Sequence, residues 1–89
     1  MAISNFGGYM LEKLIVQSEK FASLREYDKV DANLSVLKRH INSLDKSQLE
    51  RYLDCTHLLA MHYLESKNFP CVDKLYLSMK NASHAFSVD

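Results

Sequence analysis

Apolar residues along this chain recur at three- and four-residue steps, the spacing that lines one face of an α-helix. From about Tyr9, the residues Met10, Leu11, Leu14, Ile15, Phe21 and Ala22 follow it. The pattern loosens at Leu24-Arg25-Glu26-Tyr27 and resumes with Val30, Leu34, Leu37 and Ile41. A polar break runs from Asn42 to Gln48. Within it Asp45 and Gln48 have the spacing of a helix N-cap and its reciprocal partner, which predicts a third helix starting there. That helix is the most apolar of the chain. Leu49, Tyr52, Leu53, Cys55, Leu58, Leu59, Ala60, Met61, Tyr63 and Leu64 cover most of its circumference, as expected of a helix with neighbours on several sides. Ser66-Lys67-Asn68 ends the pattern, and Pro70 suits the first turn of a fourth helix, where its missing N–H costs nothing. The fourth helix carries Val72, Leu75, Tyr76 and Met79 and fades near Asn81.

These periods predict an all-α fold of four antiparallel helices in a single domain over residues 1–89. The pair Gly7-Gly8 reads as part of a flexible lead-in over 1–8, followed by a first hairpin over 9–42 and a second over 45–82. A tail over 83–89 is expected to fray.

Composition narrows the function. Lysine and arginine number 11, as do aspartate and glutamate, so the chain lacks the basic excess with which nucleic-acid binders displace counterions. The densest basic stretch, Lys38-Arg39-His40, reads as a solvated helix end. The longest aliphatic run, Leu58-Leu59-Ala60-Met61, is far short of the roughly 20 residues of a spanning helix, so membrane insertion is not expected. The N-terminal residues resemble neither a secretory signal nor a myristoylation site. Cys55 and Cys71 give no disulfide framework, and reduced thiols in the cytoplasm are the expectation.

No catalytic or metal chemistry is predicted, and no cofactor. Cys55, His57 and His62 lie close in sequence, yet zinc wants three or four converging ligands and no CxxC, HExxH or HxxxH pair occurs. On a helix, Cys55 and His57 point in nearly opposite directions and cannot act as nucleophile and base. Asp28 and Asp31 fit a helix N-terminus, where the helix dipole favours them.

The two halves are also similar to each other. A shift of 42 positions sets Phe21 on Tyr63, Arg25 on Lys67, Tyr27 on Phe69, Val30 on Val72, Asp31 on Asp73, Leu34 on Tyr76, Leu37 on Met79 and Lys38 on Lys80. Ser18 falls on Ala60, and Leu11 on Leu53. The order Leu59, Ala60, Tyr63, Phe69, Val72, Tyr76 resembles a tetratricopeptide repeat, and Phe21, Tyr27, Val30 and Leu34 follow it in the first half. Val72 and Met79 are larger than that family's usual alanines, Lys67 replaces its turn glycine, and Gln17 stands where leucine is usual. The period is longer than the family's roughly 34 residues.

The resemblance implies two helix-turn-helix hairpins forming a fragment of an α-solenoid, with a small four-helix bundle as the alternative. It also implies a concave groove. The groove-facing positions would be Glu12, Ile15, Glu19 and Ala22 on one hairpin and Asp54, His57, Met61 and Leu64 on the other, suited to an amphipathic helix. Repeats bury their faces on one another, so a chain of two is expected to leave apolar surface open, with Met10, Val16 and Leu24 at one end and Leu75, Leu77 and Met79 at the other. The expected function is therefore a non-catalytic adaptor or chaperone that binds a helix of a partner protein. Among such proteins the chain is similar to small type III secretion chaperones that guard the needle subunit, which implies a second small chaperone as a further partner. Two alternatives stand beside it: a small phage- or plasmid-type regulator that binds a transcription factor or DNA, and a homo-oligomeric, dimeric structural module.

Overall fold

The computed structural model describes residues 2–87 and the side chains of 8–82. It contains four helices, α1 (Ala2–Ser23), α2 (Tyr27–Arg39), α3 (Lys46–Glu65) and α4 (Phe69–Ser87), and a single 3-10 turn at Ile41–Ser43. No strand occurs among the described residues.

Local sequence explains where the helices begin and end. At the start of α3 the Gln48 N–H donates to the Asp45 carboxylate at 2.7 Å, and the Asp45 N–H donates back to the Gln48 side-chain oxygen at 3.1 Å. This reciprocal box satisfies two amides that the first turn would otherwise leave open. Helices α1 and α3 end alike. After α1, the Glu26 N–H donates to the Phe21 carbonyl at 2.9 Å and the Arg25 N–H to the Ala22 carbonyl at 3.1 Å. After α3, the Asn68 N–H donates to the Tyr63 carbonyl at 2.8 Å and the Lys67 N–H to the Leu64 carbonyl at 3.0 Å. Both are Schellman ends, which require a left-handed residue just past the helix. Arg25 and Lys67 supply it, each with φ of 60°. They are the pair that the 42-position shift superimposes.

Two boundaries differ from the sequence expectation, and one residue of the predicted polar break is buried. Helix α1 starts at Ala2, so Gly7-Gly8 lie inside it and no lead-in precedes it over the described residues. Helix α4 runs to Ser87 and takes in most of the predicted tail. Leu44, within the polar break, is buried and anchors the link between the hairpins.

The core forms where α3 meets the first hairpin. Leu11 and Ile15 of α1, Val30, Leu34 and Leu37 of α2, and Leu49, Tyr52, Cys55 and Leu59 of α3 share one buried cluster. The small residues Ser18 and Ala60, paired by the repeat, are both fully buried, which lets neighbouring helices approach closely. Ser18 satisfies its hydroxyl by donating to the Leu14 carbonyl at 2.7 Å. Helix α3 packs against α1, α2 and α4, whereas α4 packs substantially on α3 alone. The helices thus lie as a slab of 45 × 31 × 17 Å. Its radius of gyration of 13.1 Å exceeds the roughly 12 Å of a compact chain this long.

No described helix is long and apolar enough to cross a membrane.

Candidate interaction face

The contact between α1 and α3 shows how one hairpin receives the next. Arg51 of α3 reaches back to α1, where its guanidinium donates to the Glu12 carboxylate at 2.7 Å and to both oxygens of Glu19 at 2.6 and 2.9 Å. The Gln48 amide adds a bond to Glu12 at 3.1 Å. The Arg51 hydrogen bonds hold both carboxyls below the usual glutamate range, with Gln48 contributing at Glu12, and they raise the guanidinium in turn. On the α2 side, the His62 ring stacks on Tyr27 with centroids 4.1 Å apart, and the Tyr63 hydroxyl donates to Asp31 at 2.7 Å. Burial, reinforced by that bond, raises the Tyr63 phenol, which stays neutral.

Four predicted groove positions therefore have another role. Ile15 is 1% exposed and belongs to the core, and Ala22 is half-buried against it. Glu12 and Glu19 are bound to Arg51. These residues of α1 do not line an open groove, because α3 occupies the space in front of them.

Their counterparts on α3 have no such cover among the described residues. Asp54, His57, Met61 and Leu64 are all exposed, and Leu58 beside them is 50% exposed. The predicted packing residues divide in the same way. Val30, Leu34, Leu59, Ala60 and Val72 are buried, and Phe21, Tyr27 and Tyr63 are partly buried. Phe69 and Tyr76, the counterparts of Tyr27 and Leu34, instead stand in solvent. Tyr27 and Leu34 are covered by the second hairpin, where His62 stacks on Tyr27 and Leu34 shares the buried cluster with α3. Of the apolar residues expected at the two ends, Met10, Val16, Leu24 and Leu77 are exposed, while Leu75 and Met79 are half-buried.

A second feature is a cleft of about 270 Å3 between α2 and α4, floored by Tyr52 and Thr56 of α3 and rimmed by Lys38 and Lys74. Its residues come from three helices, so no short-range pattern marks it. It opens because α4 leans on α3 rather than on α2.

Cys55 is buried, and that burial pushes its thiol up to about 11, away from the thiolate a nucleophile or ligand needs. His57 is exposed and His62 is engaged with Tyr27, so neither converges on Cys55. No cluster of three metal-ligating side chains occurs among the described residues. Asp31, read as a dipole partner of the α2 N-terminus, spends its carboxylate on Tyr63. Compared with known protein families, curated proteins and solved structures, the chain matches none of them.

Proposed function

We propose that this chain is a non-catalytic protein–protein interaction module, a tetratricopeptide-like adaptor or chaperone whose second hairpin receives an amphipathic helix of a partner. The observation that carries this reading is the uncovered counterpart of the α1 face: Asp54, His57, Met61 and Leu64, flanked by Phe69 and Tyr76. The inner junction supplies the template. There a helix lies on α1, ties down two acidic residues through Arg51 and buries Ile15. A partner helix that offers apolar residues to Met61 and Leu64 and a cation to Asp54 would repeat that arrangement on α3. Met61 suits such a role because methionine adapts its shape to what it contacts. Open docking of α4 on α3 alone favours an array that continues over a bundle that closes.

On the resemblance of its repeat residues, the particular case we favour is a small cytoplasmic chaperone of the needle-subunit kind, keeping a self-assembling helical protein from aggregating. Free Cys55 and Cys71 agree with a reducing compartment.

The test compares capture from the native host by the wild-type chain and by the double variant Met61→Asp, Leu64→Asp, with far-UV circular dichroism checking that both are folded. A loss of affinity of at least about tenfold is expected, the size of a single well-buried apolar contact. A folded variant that holds its partner as firmly as wild type would remove the docking face from the account.

A further inference from the structure

The inner junction also identifies a helix that fits the open face. Set back by the repeat, the α3 residues Arg51 and His62 correspond to Tyr9 and Lys20 of α1, and the outward side of α1 displays both to solvent. Tyr9 is 64% exposed and Val16, on the same side, is 49% exposed. This is a large apolar expense for a surface helix. It is what α3 would look like without the first hairpin beneath it.

We propose that the second hairpin of one chain receives α1 of a second copy, so that chains associate head to tail. This rests on the docking reading above and names its occupant. Carrying the inner contacts over by the repeat, Tyr9 takes the place of Arg51 and meets the counterparts of Glu12 and Glu19, which are Asp54 and Met61. The ion pair of the inner junction is replaced by a phenol against a carboxylate and an aromatic ring against a thioether, both favourable pairings. Lys20 takes the place of His62 and comes over Phe69, the counterpart of Tyr27, so a ring-on-ring stack becomes a cation over an aromatic face. Charge agrees with this direction of docking. The outward side of α1 carries Lys13 and Lys20, and the outward side of α3 carries Glu50 and Asp54. Two copies of the α3 face laid on each other would oppose carboxylate to carboxylate, which disfavours a symmetric dimer through that face. Because the two mating faces differ, the association is heterologous and does not stop at two unless the rotation closes a ring.

Mixing of one-sided variants tests this in the full chain by sedimentation. Tyr9→Asp with Val16→Asp blocks the α1 face, and Met61→Asp with Leu64→Asp blocks the α3 face. All four positions are exposed, so both variants are expected to fold as wild type does by circular dichroism. Wild type is expected to gain average mass continuously with concentration. Each variant alone is expected to stay monomeric, its self-association weakened at least tenfold, and an equal mixture is expected to form a one-to-one heterodimer and go no further. The inference is overturned if the α1-blocked variant self-associates as wild type does, since the α3 face would then be covering itself. It is equally overturned if wild type remains monomeric at every concentration. In that case, host-protein capture that still depends on Met61 and Leu64 leaves the docking reading standing with a foreign helix as occupant. Capture that does not depend on them removes both.

Discussion

Glu12, Ile15, Glu19 and Ala22 on the first hairpin and Asp54, His57, Met61 and Leu64 on the second hold the same places in the repeat, yet the first set is covered or engaged by α3 and the second meets solvent. The helices themselves are built alike, down to the left-handed residue that ends α1 and α3. What separates the two sets is that α3 lies over the first, whereas the second is exposed. Helices pack within each hairpin as well as across the junction, and it is the junction that covers or engages the first set.

Truncating matched residues has the largest expected effect. Ile15→Ala removes a side chain from the core and is expected to destabilise the chain by about 3 kcal/mol, within the usual range for such cavities. Leu64→Ala, on the uncovered hairpin, is expected to change it by less than about 0.5 kcal/mol. Denaturant melts of the two variants check this, and equal losses would mean that α3 has a cover of its own.

Arg51→Ala comes next. It leaves Glu12 and Glu19 side by side without their cation and is expected to cost about 1 kcal/mol, the upper end for partly exposed ion pairs. The cost is expected to shrink as salt is added. Asp54→Ala, on the same face one hairpin on, is expected to cost nothing measurable in the monomer.

Smaller effects come from the shared turn. Arg25 and Lys67 adopt a conformation that glycine enters without steric penalty. Arg25→Gly and Lys67→Gly are each expected to stabilise by about 0.5–1 kcal/mol, a balance of relieved strain against glycine's freedom in the unfolded chain. Similar gains at both sites, read from thermal melts, would show that the two turns are energetically equivalent as well as geometrically alike.

The smallest effect is a pH dependence confined to the inner junction. Arg51 holds the Glu12 and Glu19 carboxyls lower in the folded chain than in the unfolded one. The unfolded chain therefore takes up protons first on acidification. The stabilisation is complete above the ordinary glutamate range near pH ~4.3 and is lost as pH falls through the depressed values. The double variant Glu12→Gln, Glu19→Gln is expected to flatten melting temperature against pH in that acidic window. An unchanged slope would place the acid sensitivity elsewhere.

Much of the architecture was legible in the sequence because it rests on short-range chemistry. The Asp45–Gln48 box starts a helix wherever those two residues sit three apart, and the three- and four-residue apolar steps mark helices whatever they pack on. The pairing of Arg25 with Lys67 was legible as a repeat, but not as two left-handed turns, since neither residue favours that backbone. The extents of α1 and α4 were misread because glycines at one end and polar residues at the other weaken the local signal. The fate of Ile15 was misjudged for a deeper reason. Periodicity tells which residues share a side of a helix, and it does not tell which side another helix will cover. The cleft between α2 and α4 escaped for the same cause, being made by residues as distant as Asp31 and Lys74.

The most direct measurement is the solvent accessibility of the Met61 methyl group, read by NMR from its broadening by a soluble paramagnetic probe. Strong broadening is expected in the dilute chain and marked protection once a helix is docked on α3, with the methyl of half-buried Met79 far less affected. A Met61 methyl equally accessible in the free and the docked chain, or already shielded in the dilute monomer, would contradict this.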